Sequence, residues 1–195
     1  FNDWPSHDIE NLKASIAVLE ALIEGFRKCS LGNINLFSEL EKAFDQFKKF
    51  PHRFEHLEMV GGVNFINDSK ATNLDATLKA VSAANELENI RDIYLICGGD
   101  LKGQEIASKE LQEMKSLKKV FIFGKDKELI FNTIRQYAHC LIVQDLKEAL
   151  EEAVRFSKDD DCVLFSPACS SLDMFKDYKD RGETFKRLIK DLNDE

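Results

Sequence analysis

The sequence predicts an α/β protein: a doubly wound and mostly parallel sheet of six strands, preceded by two helices. Two observations lead to this prediction. Over residues 9–26 and 36–47, apolar side chains recur every three or four positions, which is typical of amphipathic helices. After Pro51 the chain changes to short apolar runs that alternate with helical segments, which is typical of a parallel sheet covered on both faces.

The elements follow one another in a regular order. Pro51 ends the second helix, because proline disfavours a helical conformation in the residue before it, and a domain boundary is expected at about residues 48–53. The runs HLEMV and VNFIN flank Gly61-Gly62 and predict a hairpin with a two-residue turn. Further strands are predicted at IYLIC, KVFIF, CLIV and CVLF. Helices are predicted near residues 73–84, 105–114, 127–137, 146–156 and 182–192.

Composition narrows the classes of function. The 195 residues carry a formal net charge of −8, which argues against nucleic-acid binding. No apolar run approaches the roughly 18 residues of a membrane span, and no secretory signal is visible, so neither a membrane partner nor secretion is expected. Five scattered cysteines without a C-x-x-C pair are typical of reduced thiols in a cytoplasmic protein rather than of metal ligands.

Three polar loops follow predicted strands: NDSKAT (67–72), GGDLKG (98–103) and SPACSS (166–171). Ligands of such sheets bind beyond the carboxyl ends of the strands, where small residues, hydroxyls and lysines suit an anion. Each loop taken alone is equally well explained as a helix cap or a tight turn. Together they predict an anion-binding domain without naming a reaction. Neither G-x-x-x-x-G-K-[ST] nor G-x-G-x-x-G occurs in the chain.

Four motifs resemble one family. In order and spacing, FPHRFE, INDSKATN, GGDLKG and SPACSSLDMF resemble the carboxy-terminal part of the Mur ligases, from Pro51 to about Glu183. The element SPA-x-x-S-x-D-x-F is similar to that of the members that add D-glutamate to UDP-N-acetylmuramoyl-L-alanine. The segment PSHDIEN (5–11) resembles the family's G-x-H-N-x-x-N, of which it keeps His7 and Asn11.

The resemblance implies a domain organisation and a reaction. Residues 1–50 correspond to the helical end of a central ATP-binding domain, which is incomplete here, and residues 51–195 to the carboxy-terminal Rossmann-like domain. The family uses ATP and Mg²⁺ to make an acyl phosphate, which the amine of D-glutamate attacks to form an amide in peptidoglycan precursor synthesis. ATP, Mg²⁺ and UDP-N-acetylmuramoyl-L-alanine are held mainly by the other domains, so this chain alone is expected to be inactive.

The resemblance also assigns site residues. Asp68 is expected at the ATP ribose, since an ionised carboxylate accepts two hydroxyl hydrogen bonds at once. Lys102 is expected to pair with a carboxylate of D-glutamate. The full nucleotide set is Asn11, His52, Arg53, Asp68 and Lys70, and the amino-acid set is Thr72, Lys102, Ser171, Leu172 and Tyr178. Tyr178 stands where the family commonly has phenylalanine. No catalytic residue and no metal ligand is assigned.

Two alternatives remain open from the sequence. One is a different Mur-type or folylpolyglutamate-type ligase, which would share the fold but not the substrate. The other is a ligand-binding module without catalysis. The stretch SPACSSLDMF favours the D-glutamate ligases over the first alternative.

Overall fold

The computed structural model describes residues 6–28, 42, 50–104 and 108–193, and it divides into two compact units, Phe1–Lys49 and Phe50–Glu195. In the first unit, helix α1 spans Ser6–Lys28 and includes the first predicted helix. The second predicted helix, at 36–47, lies outside the described residues except for Lys42. None of the helices in the described part of the chain combines the length and apolar character needed to cross a bilayer.

The second unit contains a six-stranded sheet in the order β1-β2-β6-β3-β4-β5. Only β1 is antiparallel to its neighbour, and the other pairs are parallel. The prediction of a six-stranded, mostly parallel sheet is therefore confirmed. The strands are β1 (Glu55–His56), β2 (Asn64–Asn67), β3 (Ile93–Gly98), β4 (Lys119–Phe123), β5 (Cys140–Ile142) and β6 (Cys162–Phe165).

The predicted hairpin is present between β1 and β2. Val60 and Val63 form a bridge around the two glycines. Gly61 and Gly62 have φ angles of 57° and 79°, and a two-residue type I′ turn requires positive φ at both positions. Glycine adopts this conformation without steric cost, which is why the turn forms here.

Helices cover the sheet on both faces. They are α2 (Leu74–Asn85), a 3₁₀ helix (Ser108–Ser116), α3 (Lys127–Ile134), α4 (Leu146–Phe156) and α5 (Tyr178–Asn193). The segment predicted as a helix at 105–114 is a 3₁₀ helix from Ser108 onward. The last helix begins four residues earlier than predicted, because the Asp177 carboxylate accepts hydrogen bonds from the Lys179 and Asp180 amides and caps it.

The sheet separates two apolar layers. On one face Ile66, Leu95 and Leu164 pack with residues of α2, the 3₁₀ helix and α3. On the other face, Phe65 and Phe121 pack with residues of α4 and α5. The chain winds from β3 outward to β5 and then returns to β6 on the other side of β3, so the winding direction reverses between β3 and β6. Ligands of open α/β sheets bind at such a reversal, beyond the carboxyl ends of the strands.

Candidate functional site

The three polar loops meet at the carboxyl edge of the sheet. Asp100 and Ser170 form an antiparallel bridge with N···O distances of 3.1 and 2.9 Å, which joins the loops after β3 and β6. A Cβ atom on Gly99 would lie 2.3 Å from the Ser170 carbonyl oxygen, so this close approach requires glycine. The Asp68 amide donates to the Phe165 carbonyl at 2.8 Å and joins the loop after β2 to β6. The loops therefore form one continuous surface.

Asp68 is the buried centre of the loop after β2. Its Oδ1 accepts a hydrogen bond from the Phe54 amide at 3.1 Å, and its Oδ2 accepts one from the Ser166 hydroxyl at 2.8 Å. The Ser166 hydroxyl also lies 3.0 Å from Oγ1 of Thr77 on α2. The carboxylate thus links three segments of the chain. Arg53, by contrast, is exposed beside it.

The His52 side chain is buried between β2 and α5. Its Nδ1 lies 3.0 Å from the Asn67 side-chain nitrogen, and its Nε2 lies 3.3 Å from a Glu183 carboxylate oxygen. A Cβ atom on Gly182 would come within 2.3 Å of the ring, so α5 can approach only with glycine at that position. Burial, and to a smaller extent the charge of Lys186, lowers the pKa of His52. The ring is therefore part of the packing between β2 and α5 rather than an exposed ligand group.

Lys70 and Tyr178 lie together, although the resemblance assigned them to different ligands. The Lys70 ammonium is 4.6 Å from the centroid of the Tyr178 ring, a cation–π distance. The Tyr178 carbonyl accepts a hydrogen bond from the Ser69 hydroxyl at 2.8 Å. Thr72 follows two residues later and is half-buried. The Lys70 ammonium thus contacts a residue of the predicted amino-acid set, although Lys70 itself belongs to the predicted nucleotide set.

Lys102 lies in the loop after β3, where its side chain is exposed. Its backbone adopts φ = 52°, and its amide donates to Oδ1 of Asp100 at 2.8 Å. Oδ2 of Asp100 lies 3.1 Å from the Lys125 ammonium. The hydrogen bond from the Lys102 amide and the bond to Lys125 hold the pKa of Asp100 below its usual value. On the preceding residue, the Leu101 amide donates to Asp126 at 2.7 Å.

A cleft of about 470 Å³ opens beside this loop. Asp173 contributes to it and accepts a hydrogen bond from the Lys125 amide at 2.9 Å. The lining residues are Asp100, Gly124, Lys125, Gln144, Asp173 and Met174. None of the predicted site residues lines this cleft, and no motif in the sequence pointed to Lys125.

The remaining predicted residues are placed differently. Ser171 is buried, and its carbonyl accepts hydrogen bonds from the Met174 and Phe175 amides. Leu172, directly after it, is 61% exposed and so is open to a ligand or to another protein segment. Asn11 lies on α1, in the first unit, with its side chain exposed.

Arg181 is the residue that sequence reasoning missed. It is fully buried, and its guanidinium donates to the Ser69 hydroxyl at 3.1 Å, to the Ser69 carbonyl at 2.9 Å and to the Cys169 carbonyl at 3.1 Å. Burial lowers the pKa of Arg181 to about 10, so the group stays charged at neutral pH. A single arginine just before the predicted helix at 182–192 carries no sequence signal for this role.

The cysteines and acidic groups offer no metal site in the described ranges. No group of three or more His, Cys, Asp or Glu side chains there is arranged to hold a metal ion. The four described cysteines are free thiols, and burial raises the pKa of both Cys162 and Cys169 to about 12. These thiols are therefore poor nucleophiles and pack as small apolar residues.

Comparison with known proteins gives a consistent result. Residues 52–169 match the family described as "Mur ligase, glutamate ligase domain". A UDP-N-acetylmuramoylalanine–D-glutamate ligase of Francisella philomiragia is 37% identical over 155 residues, which cover 80% of this chain and 37% of the relative. The ligase of the same name from Caldicellulosiruptor saccharolyticus is 38% identical over 157 residues, covering 80% of this chain and 34% of the relative.

A solved structure shares the fold at lower identity. The UDP-N-acetylmuramate-alanine ligase of Thermotoga maritima superposes with a TM-score of 0.64 and 16% identity, covering 96% of this chain and 39% of that protein. At this identity the likeness concerns the fold alone. The chain thus spans well under half the length of the relatives and the solved structure that it matches.

Proposed function

This chain belongs to the Mur ligase family, and on that premise we propose that it is the carboxy-terminal part of a ligase that joins D-glutamate to UDP-N-acetylmuramoyl-L-alanine. In this proposal residues 1–50 end the central ATP-binding domain, and residues 51–195 form the domain that brings the amino acid. The names of relatives that are 37% and 38% identical support D-glutamate over the substrates of other Mur-type or folylpolyglutamate-type ligases. They also favour a catalytic role over a binding module.

The observation that carries the proposal is the placement of two loops with lysines at one sheet edge, on either side of β6. Lys70, which the resemblance assigned to the nucleotide, stands over the Tyr178 ring on the loop after β2, and we reassign it to the amino acid because of this contact. Lys102 is exposed on the loop after β3. D-glutamate carries two carboxylates, and two separate ammonium groups suit these two negative charges. Thr72 on the loop after β2 and Ser171 on the loop after β6 add hydroxyl groups. The Leu172 side chain and the Tyr178 ring supply apolar contact for the methylene groups of the amino acid.

The nucleotide contacts in this proposal fall on the loop around Asp68. A carboxylate accepts several hydrogen bonds, so Asp68 suits the vicinal hydroxyls of a ribose, and Arg53, which precedes Phe54, is exposed. For Asn11, on α1 of the first unit, we keep the proposed role of a nucleotide contact. His52 acts through its backbone, because its carbonyl accepts the Lys70 amide at 3.0 Å while its ring is buried. ATP, when bound, supplies the phosphoryl group that activates the muramoyl-alanine carboxylate.

Magnesium does not fit the described residues of this chain. The ranges that the structure describes hold no cluster of three carboxylate, imidazole or thiolate ligands. We therefore assign Mg²⁺ to other parts of the ligase and derive no step through it here. The role of this chain is to bind and orient the amino acid and to complete the nucleotide site.

The cytoplasm is the proposed location of this ligase. ATP and nucleotide-linked sugars are available there, and the four described cysteines are free thiols, as a reducing compartment allows. No nucleic-acid or membrane partner is proposed, and the acidic net charge of −8 agrees with this choice.

Steady-state kinetics of a full-length ligase that carries this chain tests the proposal. Lys102→Ala removes a charge-assisted hydrogen bond, so kcat/KM for D-glutamate should fall roughly 10- to 150-fold. The KM for ATP should change much less. Asp68→Ala should show the opposite order, raising the KM for ATP more than the KM for D-glutamate.

The matched control is Lys115→Ala, an exposed lysine that precedes β4 at the opposite edge of the sheet, and it should leave both substrates unaffected. Unchanged D-glutamate kinetics in Lys102→Ala would refute the assignment of this lysine. A wild-type ligase that forms no product with D-glutamate would refute the function itself.

A further inference from the structure

One buried side chain connects two of the three loops that carry predicted site residues. Arg181 lies on the first turn of α5 and donates three hydrogen bonds. Two go to Ser69, which sits between Asp68 and Lys70, and one goes to Cys169, two residues before Ser171. The Ser69 hydroxyl in turn donates to the Tyr178 carbonyl at 2.8 Å. The guanidinium therefore connects the loop after β2, the loop after β6 and the start of α5.

The chemistry of this contact is unusual for a purely structural residue. All three acceptors are uncharged oxygens, so the buried positive charge is stabilised by dipoles and not by a hydrogen-bonded carboxylate. Burying a charge in this way is costly, and an apolar side chain of similar volume often stabilises a fold as well or better. An apolar side chain cannot donate hydrogen bonds to two loops, whereas the planar guanidinium donates them in fixed directions.

The loop conformations need such a fixed point. Ala168, next to Cys169, has φ = 61°, which is unfavourable for a residue other than glycine. The Lys70 ammonium sits 4.6 Å from the centroid of the Tyr178 ring, so its position depends on how the loop after β2 lies against α5. A shift of either loop by about 1 Å would separate groups that are meant to contact one ligand.

We propose that Arg181 is a positioning residue: it holds the loops 67–72 and 166–171 in one relative placement, so that Lys70 and Ser171 face the same amino acid. This inference rests on the proposed function for the identity of the ligand. The placement itself is a property of the chain and can be measured without any reaction.

The experiment compares three variants with the wild type in a full-length ligase that carries this chain. Arg181→Met keeps the volume and removes the donors, and Arg181→Lys keeps the charge and removes the fork. Ile189→Ala is the matched control, because Ile189 is buried two turns further along α5 in the apolar layer and has no hydrogen bond to either loop. Amide hydrogen exchange of the two loops and steady-state kinetics are measured for each.

In both arginine variants, the amide hydrogens of loops 67–72 and 166–171 should exchange faster than in the wild type. The KM for D-glutamate should rise roughly ten- to a hundredfold. Ile189→Ala should not selectively speed amide exchange in either loop and should leave the KM for D-glutamate unchanged. Three results would each overturn the inference. They are wild-type exchange rates in both loops of Arg181→Met, wild-type exchange and KM in Arg181→Lys, and loop exchange in Ile189→Ala that is as fast as in the arginine variants. If Arg181→Met does not fold, Arg181→Lys decides on the same two readouts. Absence of D-glutamate ligation in the wild type refutes the function, while hydrogen exchange still decides the placement.

Discussion

The carboxyl edge of the sheet has two halves that are built differently. The buried half comprises the loops after β2 and β6, where Asp68, Ser69 and Arg181 are hydrogen-bonded with almost no exposure. The open half comprises the loops after β3 and β4, where Lys102 and Lys125 are exposed. Hydrogen bonds in a low-dielectric interior hold their partners in place, whereas solvent screens exposed charges. The buried half is thus held by internal hydrogen bonds, and we expect the exposed Lys102 side chain of the open half to adjust to a ligand.

The comparison is tested most strongly by removing the carboxylate at the centre of the buried half. Asp68→Ala removes the buried acceptor of the Phe54 amide and leaves the Ser166 hydroxyl only Oγ1 of Thr77 as a partner. We expect the free energy of unfolding of the 195-residue chain to fall by about 1–3 kcal/mol, the usual cost of an unsatisfied buried group. Urea unfolding measures this loss as a lower midpoint with an unchanged slope.

Asp68→Asn serves as the control for shape. The amide keeps one acceptor oxygen but turns a donor toward the other partner, so its stability should fall between those of the wild type and Asp68→Ala. If both variants unfolded at the wild-type midpoint, the buried half would not be held by this network, and the contrast between the halves would be lost.

The fold could be predicted because its signals are local. Gly61-Gly62 marks a turn by backbone conformation alone, and the buried strands are continuous apolar runs. The 3₁₀ helix was predicted as an ordinary helix, since Leu111 and Met114 give the same apolar spacing and only packing against the sheet decides the geometry.

The candidate site was only partly predictable, for a physical reason. The loops could be found because each follows a strand, and the resemblance assigned their residues. Arg181 could not be found, because its role depends on Ser69, which is 112 positions away in the sequence. The same holds for the ring of His52, whose burial depends on Gly182 in the last helix. Contacts of this kind appear only once the chain has folded.

A smaller effect is expected from the titration of His52. Burial and the charge of Lys186 lower its pKa in the folded chain from the usual 6.5, although Glu55 and Glu183 oppose the shift. The unfolded chain therefore binds a proton more readily than the folded chain. Stability should be complete above pH 6.5 and should fall as the pH drops through 6.5 toward the lowered folded value.

Urea unfolding at pH 7.5 and pH 5.5 measures this dependence. His52→Gln should reduce the difference between the two pH values, and the exposed His139→Gln should leave it as in the wild type. The groups that face His52 and must be kept are Lys186, Glu55, Glu183 and Asp177. If His52→Gln and the wild type showed the same pH dependence, burial of the His52 ring would not destabilise its charged form, and this prediction would be wrong.

The smallest effect should come from the open half. The ammonium of Lys125 lies 3.1 Å from Asp100, but both groups are close to solvent, and exposed ion pairs contribute little after screening by water and salt. Lys125→Met removes this pair and keeps the backbone bond from residue 125 to Asp173. We expect the urea midpoint to stay within experimental error at physiological salt, as for Lys147→Met, which breaks an exposed pair on α4. If Lys125→Met instead cost as much stability as Asp68→Ala, the open half would be as rigid as the buried half, and Lys102 would reach its ligand without adjustment.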